Sequence, residues 1–256
     1  MHRVTAYANS SERTSGRFCA AFAAGAGAEV AEDFQLRPGA MALFGSPSLW
    51  ELLTQAIGEG RDWYYGDHGY FDRGRYYRVT RGAFQPAARD LRAGDDERLD
   101  ALGVEIKPWR RAGGHVLVCP PSASYAHLMR RAGVTVARGD DWGAWASRKL
   151  QKYTDRPVRI RTKAAARASA RPLEADLKDC WAVVAHMSNT ALHAALAGIP
   201  IFVLGPAASR PLAKTDLSAI EDPFFPENRR EIAASLAASQ WTLDEIAAGD
   251  CWRALA

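Results

Sequence analysis

The run His186-Met187-Ser188-Asn189-Thr190 puts an imidazole, two hydroxyls and a carboxamide between an apolar stretch at 181–185 and a helically periodic one at 191–196. At a strand-to-helix turn such a group suits an anion. The first N–H groups of a helix have no intrahelical acceptor, and the macrodipole places about half a positive charge there. Ser188 or Asn189 could equally do no more than cap the helix. A second group, Gly66-Asp67-His68-Gly69, sets a carboxylate beside an imidazole after the aromatic run Trp63-Tyr64-Tyr65, with Tyr70 and Phe71 behind it. That pairing suits a general base or a grip on a polar substrate; a turn in which Asp67 caps its own backbone is the plainer alternative.

Two basic stretches accompany them. In 157–163, PVRIRTK, strand alternation places Arg159, Arg161 and Lys163 on one face. Adjacent cations repel unless an anion sits among them or the strand is a solvated edge. In 73–81, RGRYYRVTR, basic and aromatic residues alternate. This pattern fits an edge strand, or a surface for sugar rings or a nucleic-acid backbone.

The elements that must hold these groups alternate between strand and helix. Residues 181–185, 189–196 and 201–204 read as a βαβ unit, with Gly198 and Pro200 ending the helix. Strands at 3–8, 40–44 and 62–65 and helices at 17–24 and 49–57 repeat the pattern in the first half. A strand at 115–119 and helices at 125–132, 142–153, 229–239 and 243–248 follow, with a polar covering stretch at 84–101. The shift near 109–114 divides the chain into 1–112 and 113–256, two small parallel-sheet halves of an α/β protein.

Composition agrees with a folded globule: 256 residues, 48% hydrophobic, 24% charged, net charge +4. No apolar run approaches the ~18–20 residues of a membrane helix, and the N-terminal residues lack the apolar core of a signal peptide, so a cytoplasmic protein without membrane contact is expected. Cys19, Cys119, Cys180 and Cys251 are far apart and form no CxxC pair, which points to buried thiols rather than zinc. No DxD pair is placed to hold a metal.

The SNT…ALAGIPIFVLG pattern over 186–206 resembles the nucleotide-sugar half of capsular-polysaccharide-type and related GT-B glycosyltransferases. The resemblance implies two Rossmann-like halves with a cleft between them and a nucleotide-sugar donor, UDP-linked by preference, with no further cofactor. It puts the donor diphosphate on Ser188, Asn189 and Thr190, with His186 in the same turn. Arg161 and Lys163 stand where those enzymes often carry a basic Lys-Pro-His-Pro segment, although neither that His nor that Pro is here. Glu221 is the nearest match to the ribose-binding Glu. On this reading Asp67, with His68 as the fallback, deprotonates the acceptor hydroxyl. The whole chain is also similar to proteins of tailed phages and prophages, which implies a hydroxymethylated pyrimidine in double-stranded DNA as acceptor. A polysaccharide acceptor, a nucleotide-sugar epimerase and a non-catalytic nucleotide- or DNA-binding protein are the alternatives.

Overall fold

The computed structural model describes residues 3–87, 90–133 and 141–255. In chain order come β1 (Val4–Tyr7), α1 (Arg13–Ala26), β2 (Glu29–Ala31), β3 (Ala40–Phe44), α2 (Trp50–Gly58), β4 (Trp63–His68), β5 (Tyr76–Arg81) and α3 (Asp96–Ala101). Then follow β6 (His115–Cys119), α4 (Ala123–Arg131), α5 (Trp142–Leu150), β7 (Val158–Ile160), α6 (Lys163–Ala168), α7 (Leu173–Leu177), β8 (Cys180–Ala185), α8 (Asn189–Leu196) and β9 (Ile201–Val203). The chain closes with β10 (Ala213–Lys214), α9 (Arg229–Ala238), β11 (Trp241–Thr242), α10 (Leu243–Ala247) and α11 (Asp250–Leu255). It forms two compact units, one of Met1–Gln85, Glu97–Leu102 and Ser235–Ala256, the other of Pro86–Asp96 and Gly103–Ala234. Residues 235–256 thus group with the first unit, whereas a single cut at 112 places them with the second.

The first unit holds a six-stranded sheet in the order β11-β5-β4-β3-β1-β2. β2, β1, β3 and β4 run parallel; β5 and β11 are added antiparallel. From β1 the chain passes through α1 to β2 on one side and then to β3 on the other, so the strand order reverses at β1. α1 lays Phe18 and Phe22 on the sheet: Phe18 meets Phe44 at 5.4 Å and Tyr77 at 6.1 Å between ring centres, and Phe22 meets Tyr64 at 5.6 Å. The helix ends at Gly27, whose φ of 63° is left-handed and is adopted at least cost by glycine. Its other side takes the C-terminal segment. A side chain at Gly25 would begin 2.0 Å from the Ile246 carbonyl, so only glycine lets α10 come this close.

The second unit holds a five-stranded, wholly parallel sheet in the order β10-β9-β8-β6-β7. Its central strands, HVLVC and CWAVVA, are buried at every position, as parallel strands covered on both faces require. Here the order reverses between β6, which leads to β7, and β8, which leads to β9.

Two expectations change. Only 76–81 of the stretch 73–81 form a strand, and it is not left as an edge at its start: β5 lies between β4 and β11, which covers Tyr76 and Tyr77, and Tyr76, Tyr77 and Arg78 are buried. The strand at 62–65 runs on to His68, because Asp67 and His68 pair across the ladder with Arg78 and Tyr77. Asp67 therefore sits on a strand end, not in a free turn. Among the described residues, no helix is long and apolar enough to cross a membrane.

Candidate functional site

Ligands of open α/β sheets bind at the carboxyl ends of the strands where the order reverses. In the second unit that point lies between β6 and β8, and the turn leaving β8 is His186–Met187–Ser188. Ser188, in extended conformation (φ −76°, ψ 140°), caps α8: its Oγ accepts from the Thr190 N–H at 3.1 Å and donates to Thr190 Oγ1 at 3.0 Å. Helix geometry leaves the Asn189 N–H without an intrahelical acceptor. Ser188, Asn189 and Thr190 are half-buried, and Ala191, Leu192 and Ala194–Leu196 behind them are fully packed. The sequence thus anchors the helix by its apolar face and presents its polar start at the sheet edge.

His186 fills a different role. It is 5% exposed, its ring meets Trp142 edge-on at 6.0 Å, and its other side lies on Gly205, where a Cβ would come within 2.5 Å of the ring. Its Nδ1 is buried without a hydrogen-bond partner, and burial holds its pKa below the ordinary histidine value. A neutral imidazole packed this way is a spacer between β8 and the turn after β9, which the Gly205 N–H seals by donating to the His186 carbonyl at 2.9 Å.

The remaining members of the expected donor set lie apart from this turn. Arg161 leaves the carboxyl end of β7, but its guanidinium is bonded to Asp176 and donates to the Arg171 carbonyl at 3.0 Å. Lys163 opens α6 and is exposed. Glu221 is not brought to Ser188. Its carboxylate meets Arg156 at 3.1 Å and accepts from the Thr154 hydroxyl, and Arg156 in turn donates to the carbonyl of Gly113. Gly113 and Arg156 precede β6 and β7, so this cluster marks the amino edge of the sheet. Partial burial works to raise the Glu221 pKa, yet Thr154 and Arg156 hold it below the usual carboxylate range.

In the first unit, Asp67 and His68 end β4. Asp67 is held at both oxygens: Oδ1 accepts from the His68 N–H at 2.7 Å and Oδ2 from Arg78 Nη2 at 2.7 Å. The Arg78 side chain is 4% exposed against 35% for Asp67, and its Nη1 donates to the Phe84 carbonyl at 2.8 Å. It also lies 5.7 Å from the centre of the Tyr70 ring. Burial works to lower the Arg78 pKa, but Asp67, Tyr70 and Tyr65 together more than offset it and the pKa is raised. His68 stands edge-on to Phe44 at 5.3 Å and stacks on Tyr77 at 5.9 Å.

Three features here have no counterpart in the sequence reading. Arg78 is one; it could have been found, since the alternation of 76–81 puts it on the face opposite Tyr77. Gln240 is another: fully buried, its Oε1 accepts from the N–H groups of Tyr70 at 2.8 Å and Phe71 at 3.0 Å, fixing the loop behind Asp67. A residue 170 positions away leaves no local signal. The third is Glu12, at the strand reversal of this sheet, whose Oε1 accepts from Ser46 Oγ at 2.6 Å and Asn9 Nδ2 at 3.0 Å. The buried thiols Cys19, Cys119 and Cys180 are pushed up to about 12 by burial, which leaves no thiolate for chemistry near neutral pH.

The architecture is GT-B-like, two α/β halves each built on a sheet whose core strands are parallel. Solved structures share it: the Thermosulfurimonas dismutans KpsC beta Kdo 2,7 transferase matches with a TM-score of 0.55 at 10% identity, over 98% of this chain and 99% of that one. The beta Kdo 2,4 transferase of the same organism's KpsC matches with a TM-score of 0.52 at 9% identity, over 91% and 90%. At such identity the likeness establishes the fold alone. No family model matches the sequence, and no curated protein matches it.

Proposed function

We propose that this protein is a glycosyltransferase that moves a sugar from a nucleotide-sugar donor to an acceptor hydroxyl. The observation that carries the reading is the capped start of α8 at the strand reversal of the second unit, on a GT-B-like fold. The donor phosphates take the Asn189 N–H and the side chains of Ser188, Asn189 and Thr190, and charge growing on the leaving phosphate is met by the helix start. The acceptor oxygen attacks the anomeric carbon, the bond from that carbon to the phosphate oxygen breaks, and the nucleotide leaves with the electron pair. Asp67 takes the acceptor proton; each of its oxygens has a second lone pair beyond the one held by Arg78 or His68.

A saccharide hydroxyl is the favoured acceptor, because the fold neighbours are named as Kdo transferases. A hydroxymethylated pyrimidine in DNA rested on the phage resemblance and on 73–81 as an open basic-aromatic surface; the burial of Tyr76, Tyr77 and Arg78 leaves only Arg73, Arg75 and Arg81 of that surface exposed.

The test is turnover. The full chain is incubated with UDP- and CMP-linked sugars against saccharides and hydroxymethylcytosine DNA, and products are weighed by mass spectrometry. A glycosylated saccharide supports the proposal, and its absence for every pair refutes it. Conversion of the donor sugar without any acceptor would instead support an epimerase.

A further inference from the structure

Residues 148–171 hold nine cationic side chains and one carboxylate, Asp155, although the chain as a whole is only +4. The rest of the protein is therefore net acidic, and this segment is a concentrated region of positive charge. Part of it is neutralised in place: Arg148 pairs with Asp141, Arg156 with Glu221, and Arg161 and Arg171 share Asp176. One carboxylate between two guanidiniums leaves that cluster positive. Arg159 lies on the Arg161 side of β7: after burial, its charge is what holds the His115 pKa down, and the His115 ring meets the Asp176 carbonyl at 3.1 Å. Asp179 acts on His115 in the opposite sense, its carboxylate accepting from the Gly114 N–H at 3.0 Å, and Glu174 lies on α7 two residues before Asp176.

α6 continues the strip. It buries no residue, Thr162 caps it, and Lys163 and Arg167, four apart, share a face of alanine-rich helix. A helix with no packed face contributes little to the core that would explain it. β7, at the sheet edge, is exposed at Arg159 and Ile160.

We propose that the β7 edge and α6 bind an acidic polysaccharide, the acceptor of the transfer proposed above, on which this inference rests. Arg161 to Lys163 leave β7 at the same sheet edge as Ser188, two strands away, roughly 10 Å at ordinary strand spacing. A chain held there by its carboxylates presents its end toward the donor turn. A short helix of alanines has nothing to read a DNA groove or stack bases, and no bulky apolar face to enter a bilayer. A flexible polymer with regularly spaced charges asks only for spaced cations.

The experiment measures binding of fluorescent polygalacturonate to the full chain by anisotropy across a salt series, with dextran, single-stranded DNA and phosphatidylglycerol vesicles as comparators. Polygalacturonate should bind with strong salt dependence and dextran should not. Arg159→Gln/Arg167→Gln should bind about tenfold more weakly, with a salt slope smaller by about two. Arg159→Glu/Arg167→Glu should bind more weakly still. Both residues are exposed, and urea midpoints confirm that the variants fold. Undiminished binding by the variants, equal binding of dextran, or tighter binding of DNA or vesicles overturns the proposal. Binding is read without donor, so its failure is distinct from a failure of turnover.

Discussion

The two carboxyl sheet edges solve opposite electrostatic problems. In the first unit the edge holds a carboxylate, Asp67, backed by an arginine that is almost wholly buried and, among the described residues, has no other anion bonded to it. In the second the edge holds no side-chain charge in its central turn; the attraction for an anion comes from backbone and hydroxyl groups at the start of α8, with a neutral, buried His186 beneath. One edge stores a negative charge and the other offers a place for one.

The strongest way to break this contrast is to remove the stored charge. Asp67→Ala leaves Arg78 buried without its counter-ion and should cost about 3 kcal/mol in urea unfolding, in line with other broken buried pairs. A loss below about 1 kcal/mol would mean that water reaches Arg78 freely. Each edge also has a glycine beneath a ring: a Cβ at Gly66 would lie 2.2 Å from the Phe18 ring, and one at Gly205 would lie 2.5 Å from His186. Gly66→Ala and Gly205→Ala should each cost ~1–3 kcal/mol by overpacking. Only Gly205→Ala should also weaken nucleotide binding by calorimetry, since it pushes His186 toward the Ser188 turn, where the donor phosphates are proposed to sit.

Ser188→Ala sharpens the second edge. Loss of the cap should cost about 1 kcal/mol and lower nucleotide affinity, while Thr242→Ala, which breaks the capping box of α10 in the first unit, should cost a similar amount and leave nucleotide affinity alone. The smallest effect is a slope with pH. His115 and His186 both have pKa values lowered in the folded state. The unfolded chain then binds more protons, so their contribution is present above the unfolded value of about 6.5 and is lost as the pH falls below it. Replacing His186 by Gln should flatten the stability profile between pH 7 and 5, read from urea midpoints, by removing one of the two titrations.

The second unit was the more legible in sequence because its elements are local. A continuous apolar strand, a capped turn, an alanine-leucine helix and a Gly-Ile-Pro break follow one another within 181–206, and the structure reproduces them as β8, α8 and β9. The first unit was legible only in its parallel core. Its basic-aromatic strand looked like an edge because the residues that cover it, Trp241 and Thr242, come far later in the chain. Alternation sets Arg78 on the face opposite Tyr77, but that it is enclosed by Asp67, Phe84 and Tyr70 shows only in the folded chain. Glu221, the ribose candidate, was misleading in another way, since closeness in sequence to the 181–206 unit says nothing about which end of the sheet a later loop occupies.

The return of residues 235–256 to the first unit also sets an order in time. While the chain is being made, β5 lacks β11, α1 lacks α10, and the loop behind Asp67 lacks Gln240 until residues 235–256 emerge. At ~5–20 residues per second that interval is roughly ten to thirty seconds, during which the first-made sheet is open along one edge. The second unit, complete by Ala234, has no such wait. The half synthesised first is thus finished after the other: until residues 235–256 emerge, the Ser188 turn can already be capped while the loop behind Asp67 still lacks Gln240.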